Sequence, residues 1–348
     1  MRILVAGATG YVGTRLVPAL LDAGHDVVAA SSREPHPEAY DWGYRAEAVR
    51  MDATSPADVR AATRDVDSVV YLVHSLDGRD FRDRDRLAAR TLRDAARSNG
   101  VRRIVYLSGL VPEVEEDQLS AHIASRLEVE RVLANGPADV LCLRAGVVVG
   151  AGSTSFEIVR QLASLLLVQP VPAWLRSRVQ PVAVHDVVQA LVAGVASDRT
   201  GVVDIGGPDA VPYPALLRAY CDVAGLHRVQ LPVLGPPVTV TALATGLVTA
   251  APYWTVAALV QSLRHDMVCR PDHLDPEILD PASAMPVREA IAEALAEGGV
   301  AGLEASDPAW VRPSWLERTV ASTRLPGSTL LSSAIHVADH RTRALLGR

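Results

Sequence analysis

The chain of 348 residues contains no lysine, so every one of its 34 basic side chains is an arginine. Chemistry that needs an ε-amino group is therefore excluded. Phenylalanine occurs only twice, which together with the wealth of Ala, Arg, Val and Gly is the signature of a high-GC genome. The three cysteines (Cys142, Cys221 and Cys269) are far apart and form no CxxC pair, which excludes a disulfide framework and suits a reducing compartment. No basic-then-apolar signal segment precedes the first apolar run, so the expected location is the cytoplasm. The net charge of −6 argues against nucleic acid as a partner, because a phosphate backbone selects basic faces. No group of His, Cys and carboxylates has metal-ligand spacing, and no GxSxG elbow is present.

What the chain does have begins at once. Ile3-Leu-Val-Ala6 reads as a buried strand, Gly7-Ala-Thr9-Gly10-Tyr11-Val12-Gly13 as a glycine turn, and Thr14 to Ala23 as an amphipathic helix. Strand, glycine turn and helix in this order cradle a dinucleotide pyrophosphate. Gly7 permits the tight turn, Gly10 lets the backbone approach the phosphates, and Gly13 lets helix and strand pack closely.

Further apolar runs suited to parallel strands occur at Asp26–Ala30, Ser68–Val73, Arg103–Leu107 and Val140–Leu143. Arg79–Ser98 reads as a helix with Leu87, Leu92 and Ala95 on its inner face and an ion-paired Arg/Asp face toward solvent. Gln180–Val184 predicts a strand leading into a helix with Asp186 near its start, and Gly201–Gly206 predicts another strand. The alternation implies an α/β fold: a Rossmann-type doubly wound parallel sheet with a smaller, mostly helical substrate lobe. Residues 1–150 and about 179–209 are expected to form the dinucleotide-binding domain. Residues about 151–178 and 210–300 form the lobe, and 301–348 a C-terminal tail.

Residues 229–263 carry no charge, and Val238–Ala251 is mostly apolar, but Pro236, Pro237, Gly246 and Pro252 break any uniform helix. A buried helix pair lining an apolar pocket is expected there, rather than a membrane span. Such a pocket favours an apolar small-molecule substrate; Trp174 and Phe156 are candidate lining residues, with plain core packing as their alternative.

With these landmarks the sequence resembles the short-chain dehydrogenase/reductase superfamily, in particular its atypical, NmrA-like branch and the related extended, epimerase-type members. The resemblance rests on the GxxGxxG spacing and on Val49-Arg-Met-Asp52, Val70-Tyr-Leu-Val-His-Ser75, Arg103-Ile-Val-Tyr-Leu-Ser108-Gly, Cys142-Leu-Arg-Ala-Gly146, Gln180-Pro-Val-Ala-Val-His-Asp186 and Asp204-Ile-Gly-Gly-Pro208. It covers roughly the first 270 residues. It implies NAD(P) contacts from the glycine turn with Thr9, Tyr11 and Val12, and from Val73 and His74 at the mouth of a strand. Asp52 would hold the adenine amino group or simply cap the helix before Pro56.

At the end of the second strand, where an acid would select NAD(H), the chain has Ser31-Ser32-Arg33. Ser32 and the planar fork of Arg33 suit a 2′-phosphate, so NADP(H) is preferred, NAD(H) remaining possible. The alternative for Arg33 is an exposed loop arginine.

The resemblance also locates a departure. Family enzymes place a serine after the strand that ends here in Ser108, then Tyr and Lys four residues apart on a helix. This chain has His122 and Arg126 at those two positions. Arg126 could hydrogen-bond the ribose but not exchange a proton. His122 is either a general acid, with activity falling as pH rises past its pKa, or a polar wall residue without a proton to give. Ser108 is either a donor to the substrate oxygen or a strand cap, and Glu130 is expected to pair with Arg126.

Two functions follow. One is an NADPH-dependent oxidoreductase delivering hydride to an apolar carbonyl, enone or quinone. The other is a non-catalytic NADP(H)-binding redox sensor acting through a protein partner. Whether the chain forms a homodimer stays open.

Overall fold

The computed structural model describes residues 1–297 except 35, 75–79, 236, 238–240, 242–244, 246–248 and 250–252. The expected tail 301–348 lies outside the described residues. Seven parallel strands form the central sheet in the order β11-β6-β5-β4-β1-β2-β3. They are β1 (Arg2–Ala6), β2 (Asp26–Ser31), β3 (Glu47–Arg50), β4 (Ser68–Tyr71), β5 (Arg103–Gly109), β6 (Asp139–Ala145) and β11 (Gly201–Ile205). Six of the seven were expected from apolar runs. The seventh, β3, has no such run because it is an outer strand with its side chains half-buried or exposed.

Helices cover both faces. On one, α1 (Tyr11–Asp22) and α6 (Val184–Ala196) bury Leu16, Val17, Leu20, Val187, Leu191 and Val195 against Ile3, Val5, Val105 and Leu143. On the other, α2 (Pro56–Ala62), α3 (Phe81–Asn99) and α4 (Ala121–Ala134) bury Val59, Ala89, Leu92, Val129 and Leu133 against Leu4, Val69 and Ile104. Each fully buried Leu, Ile or Val contributes about 1.5–3 kcal/mol, so the two apolar layers hold the sheet.

Local signals fix the helix ends. Ser55 caps α2, accepting from the Asp58 N–H at 3.3 Å and donating to its carboxylate at 2.9 Å, with Pro56 next in line. Gly100 ends α3 in the left-handed conformation, φ 70°. The inner face of α3 differs from expectation. Leu92 and Ala95 are buried, but Leu87 is 49% exposed and Asp85 is inside, accepting from the Ser125 hydroxyl at 3.1 Å. A small, alanine-rich face lets α3 lie close to α4, and one buried carboxylate bridges the two.

Most of the remaining elements gather beyond the C-terminal ends of the strands: β7 (Val148–Val149), α5 (Thr154–Leu165), β8 (Val168–Pro172), β9 (Arg178–Val179), β10 (Val182–Ala183), β12 (Val211–Pro212), α7 (Tyr213–Val223), β13 (Val229–Val233), α8 (Tyr253–Ser262) and α10 (Val287–Glu297), whereas the short α9 (Pro276–Leu279) packs on α6. Phe156, Val159, Leu216, Tyr220 and Ile291 form their core. The strand expected at Gln180–Val184 is only β10, which pairs with β7 outside the main sheet. The front of the uncharged stretch is not helical as expected. It is β13, parallel to β8, a short strand of half-buried and exposed residues in a two-stranded sheet. Among the described residues no helix is long and apolar enough to cross a membrane.

Candidate active site

The glycine turn is closed to side chains. Gly7 has φ +93°, and its N–H and that of Ala8 both donate to Ala30 O at 3.0 Å, which folds the chain from β1 into α1. A Cβ on Gly13 would stand 2.3 Å from Gly7 O and 2.7 Å from Ala8 O, and one on Gly10 3.3 Å from Gly7 O. Gly10 caps α1 with no side-chain bond, and the first turn has no acid. The first N–H groups of α1 are therefore left for an external anion, favoured also by the helix dipole. A pyrophosphate fits this cradle.

A cavity of about 280 Å³ opens beside it. Gly7, Gly10, Tyr11, Val12 and Gly13 form one side, and Leu107, Leu110, Ile123, Leu259, Val260 and Leu263 supply apolar surface. Between them stand His74, Ser108, His122 and Arg126. The structure thus brings together nine of the residues singled out in the sequence, from β1, α1, β4, β5 and α4.

A second hollow of about 300 Å³ lies at the end of β2, lined by Thr9, Ser31, Arg33, Glu34, Tyr40 and Trp42 among others. Thr9 donates to the Ser31 hydroxyl at 3.0 Å, and that hydroxyl accepts the Arg33 N–H at 3.2 Å. Glu34 faces Arg50 at 3.4 Å, while the exposed Arg33 guanidinium has no ion pair among the described residues. Tyr40 stacks on Trp42 with ring centres 4.7 Å apart, and the indole N–H donates to Thr14 O at 3.2 Å. Ser32, Asp52 and Val73 line neither hollow. The Asp52 carboxylate accepts from the N–H and hydroxyl of Thr54, both at 2.8 Å, so the cap of α2 is Ser55 and not Asp52.

The polar group inside the main cavity differs from expectation in three ways. First, Arg126 donates its Nε–H to Nε2 of His122 at 3.2 Å and an Nη1–H to Leu107 O at 3.1 Å. A nitrogen that accepts this bond carries no proton, so the His122 ring is neutral with its proton on Nδ1. Burial, then Arg126, then His74 drive its pKa well below 6.5. The bond and the lowered pKa count against His122 as a general acid, since a neutral ring is a poor proton source. His74 lines the cavity and its side chain is exposed there; desolvation by the cavity wall first and Arg126 second lower its pKa to about 4, partly offset by a bond to Leu72 O.

Second, the buried Ser108 hydroxyl lies 2.6 Å from Glu130 Oε1 and donates to it. Its proton is held by that carboxylate, leaving the oxygen as an acceptor, which goes against Ser108 as a donor to substrate. Third, Glu130 does not pair with Arg126. Arg144, across on β6, holds it in a two-pronged buried bridge, Nε–Oε1 3.0 Å and Nη2–Oε2 2.6 Å.

Other residues fall elsewhere. Phe156 is core, edge-on to Tyr220 at 5.7 Å, and neither it nor Trp174 lines the cavity. Asp186 accepts from the Met285 N–H at 2.9 Å, a structural tie. Cavity residues that sequence reading missed include Ser153, Thr154, Ser155, Ile158, Val179, Tyr213 and Met267. They come from α5, β9, α7 and the segment after α8, where no motif marks them.

The sequence and the fold have parallels in known proteins. A family model described as NAD(P)H-binding matches residues 7–165. A 3-diazoavenalumate denitrifying reductase from Streptomyces is 32% identical over 260 residues, covering 65% of this chain and 82% of that protein. The chain belongs to the NAD(P)H-binding short-chain dehydrogenase/reductase superfamily. Ceramide reductase of Caulobacter vibrioides is 27% identical over 229 residues, 64% of this chain and 70% of that one. The solved structure of a nucleoside-diphosphate-sugar epimerase from Staphylococcus aureus shares the superfamily fold, with TM-score 0.66 at 16% identity over 84% of this chain and all of that one.

Proposed function

We propose that this superfamily member is an NADPH-dependent reductase acting on an apolar carbonyl, enone or quinone. The observation that carries the reading is the shared cavity: a phosphate-binding glycine turn on one side, an apolar wall on the other, and Ser108, His122 and Arg126 between them. The bound reduced nicotinamide supplies the hydride. Arg126 keeps Nη2 for the ribose hydroxyls, since its Nε and Nη1 are taken up by His122 and Leu107. Neutral His122 offers an Nδ1–H that polarises an oxygen without surrendering its proton, and the proton for the reduced oxygen comes from water. Arg33, without an ion pair among the described residues, meets the 2′-phosphate, so NADP(H) is preferred over NAD(H). The elements of 151–178 and 210–297 act as the substrate lobe. The names of the two curated relatives, both reductases and one acting on ceramide, support a reductive role and an apolar substrate.

The lack of a proton donor at the His122 position favours one rival, a redox sensor that binds NADP(H) without turning over. Single-turnover oxidation of bound NADPH decides between them, against quinones, enones, aldehydes and ketones, with cofactor fluorescence reporting occupancy. Oxidation by any class establishes the reductase. Full occupancy with no oxidation by any of them overturns it in favour of the sensor.

A further inference from the structure

A phenol also lines the cavity, far along the chain from Ser108, His122 and Arg126. Tyr213 opens α7 and is only 6% exposed, yet it lines the cavity. Its backbone N–H donates to Ser177 O at 3.2 Å, but its hydroxyl has no protein partner among the described residues. Burial raises its pKa, so the hydroxyl keeps its proton and is a donor throughout the physiological range. The Tyr213 hydroxyl is not among the fully buried, unpartnered atoms, so a ligand can reach it, and a ligand that covers it has to supply a hydrogen-bond partner.

The surroundings show where that partner must come from. Strand β12 ends just before Tyr213 and pairs with β9, setting Val211 opposite Val179. Met267 N–H donates to Arg178 O at 2.8 Å and closes the same corner. Val179, Met267, Leu263 and Ile158 all line the cavity and offer no polar side-chain atom except a thioether. Helix α7 packs on α5 and α10, whereas α4, which bears His122 and Arg126, packs on α3, β5 and α8. Tyr213 thus stands on a different wall from His122 and Arg126, in a cavity whose lining also includes Ser153, Thr154 and Ser155.

Building on the reductase reading, we infer that Tyr213 is a specificity residue: its hydroxyl donates a hydrogen bond to a second oxygen of the substrate, an ether, amide or carbonyl remote from the group that is reduced. The substrate class narrows to an apolar molecule with two separated oxygen functions. A pure hydrocarbon tail would leave the buried phenol unsatisfied and bind less well.

A matched pair of probes tests this. 2-Acetyl-6-methoxynaphthalene and 2-acetyl-6-ethylnaphthalene share the ketone and differ in whether the far end carries an oxygen. Their dissociation constants are measured calorimetrically on the full chain with saturating NADP⁺, where no turnover occurs. The wild-type protein should prefer the methoxy compound roughly five- to tenfold, the worth of one hydrogen bond. Tyr213→Phe, which keeps the ring and the packing, should erase the preference, the ethyl compound gaining affinity because it no longer covers an unsatisfied hydroxyl, while NADPH affinity stays unchanged. An equal preference in both proteins, no preference in the wild type, or failure of both compounds to bind overturns the inference. NADPH oxidation by the same ketones is read separately, so loss of the reductase reading and loss of the Tyr213 anchor are distinguishable.

Discussion

Nε of Arg126 donates to Nε2 of His122 at 3.2 Å, one helical turn away on α4. The bond fixes the tautomer of one residue and takes up the side-on donor of the other. The two side chains are thereby held as one unit.

The pH dependence follows from this unit. His122 and His74 both titrate below 6.5 in the folded chain, so unfolding takes up protons wherever the pH lies between the folded and unfolded values. Stability contributed by the two rings is complete above pH 6.5 and declines as the pH falls below it. Melting temperature recorded from neutral to mildly acidic pH should fall for the wild type and fall less for His122→Phe. Reductase turnover should be flat through the neutral range; a decline with rising pH there would restore His122 as an acid.

Arg126→Ala removes the donor to His122, the bond to Leu107 O and the charge offered to the ribose. NADPH affinity should drop about ten- to a hundredfold, as expected for losing a charge-assisted hydrogen bond. The His122 pKa should rise at the same time, which the C2 proton shift in NMR would report. An unaltered NADPH affinity would remove Arg126 from the cofactor site.

Glu130→Gln leaves the buried Arg144 guanidinium without its counter-charge. The loss should be about 3–5 kcal/mol in chemical denaturation, because an unpaired buried charge costs more than the pair contributes. Replacing both, Glu130→Leu with Arg144→Met, should recover much of that loss. Equal instability of single and double variants would argue that the bridge acts only through packing.

Gly13→Ala sets a methyl 2.3 Å from Gly7 O, and the backbone has to open to admit it. NADPH binding should be lost even where far-ultraviolet circular dichroism shows the sheet intact. Retained binding would mean that the turn is not the phosphate cradle.

Arg33→Ala should reduce the ratio of NADPH to NADH affinity by about tenfold or more while leaving NADH binding as it was. Competition fluorimetry with both cofactors measures it. A parallel fall for both would make Arg33 a general contact without selectivity.

The glycine turn was legible because its chemistry is local: φ +93° at Gly7 and the contact at Gly13 arise within a dozen residues of one another. The main strands were legible for a similar reason, each being a continuous apolar run between helices. Strand β3 was not, since an edge strand buries too little to leave a pattern. The partner of Glu130 was misjudged for a different reason. Spacing on α4 put Arg126 one turn away, but Arg144 is presented by the neighbouring strand and engages both carboxylate oxygens. Tyr213 left no trace because its importance comes from what its hydroxyl lacks, and composition or spacing does not reveal a missing partner.

Trp42 has an optical consequence. Its indole is buried in the wall of the hollow beside Arg33, stacked on Tyr40 and pinned by its N–H to the helix that starts at the glycine turn. An emitter so anchored, next to where a nucleotide would lie, is a built-in gauge. Its fluorescence should change in colour or intensity as the site fills, so occupancy can be followed in unlabelled protein, even in a variant that has lost all turnover.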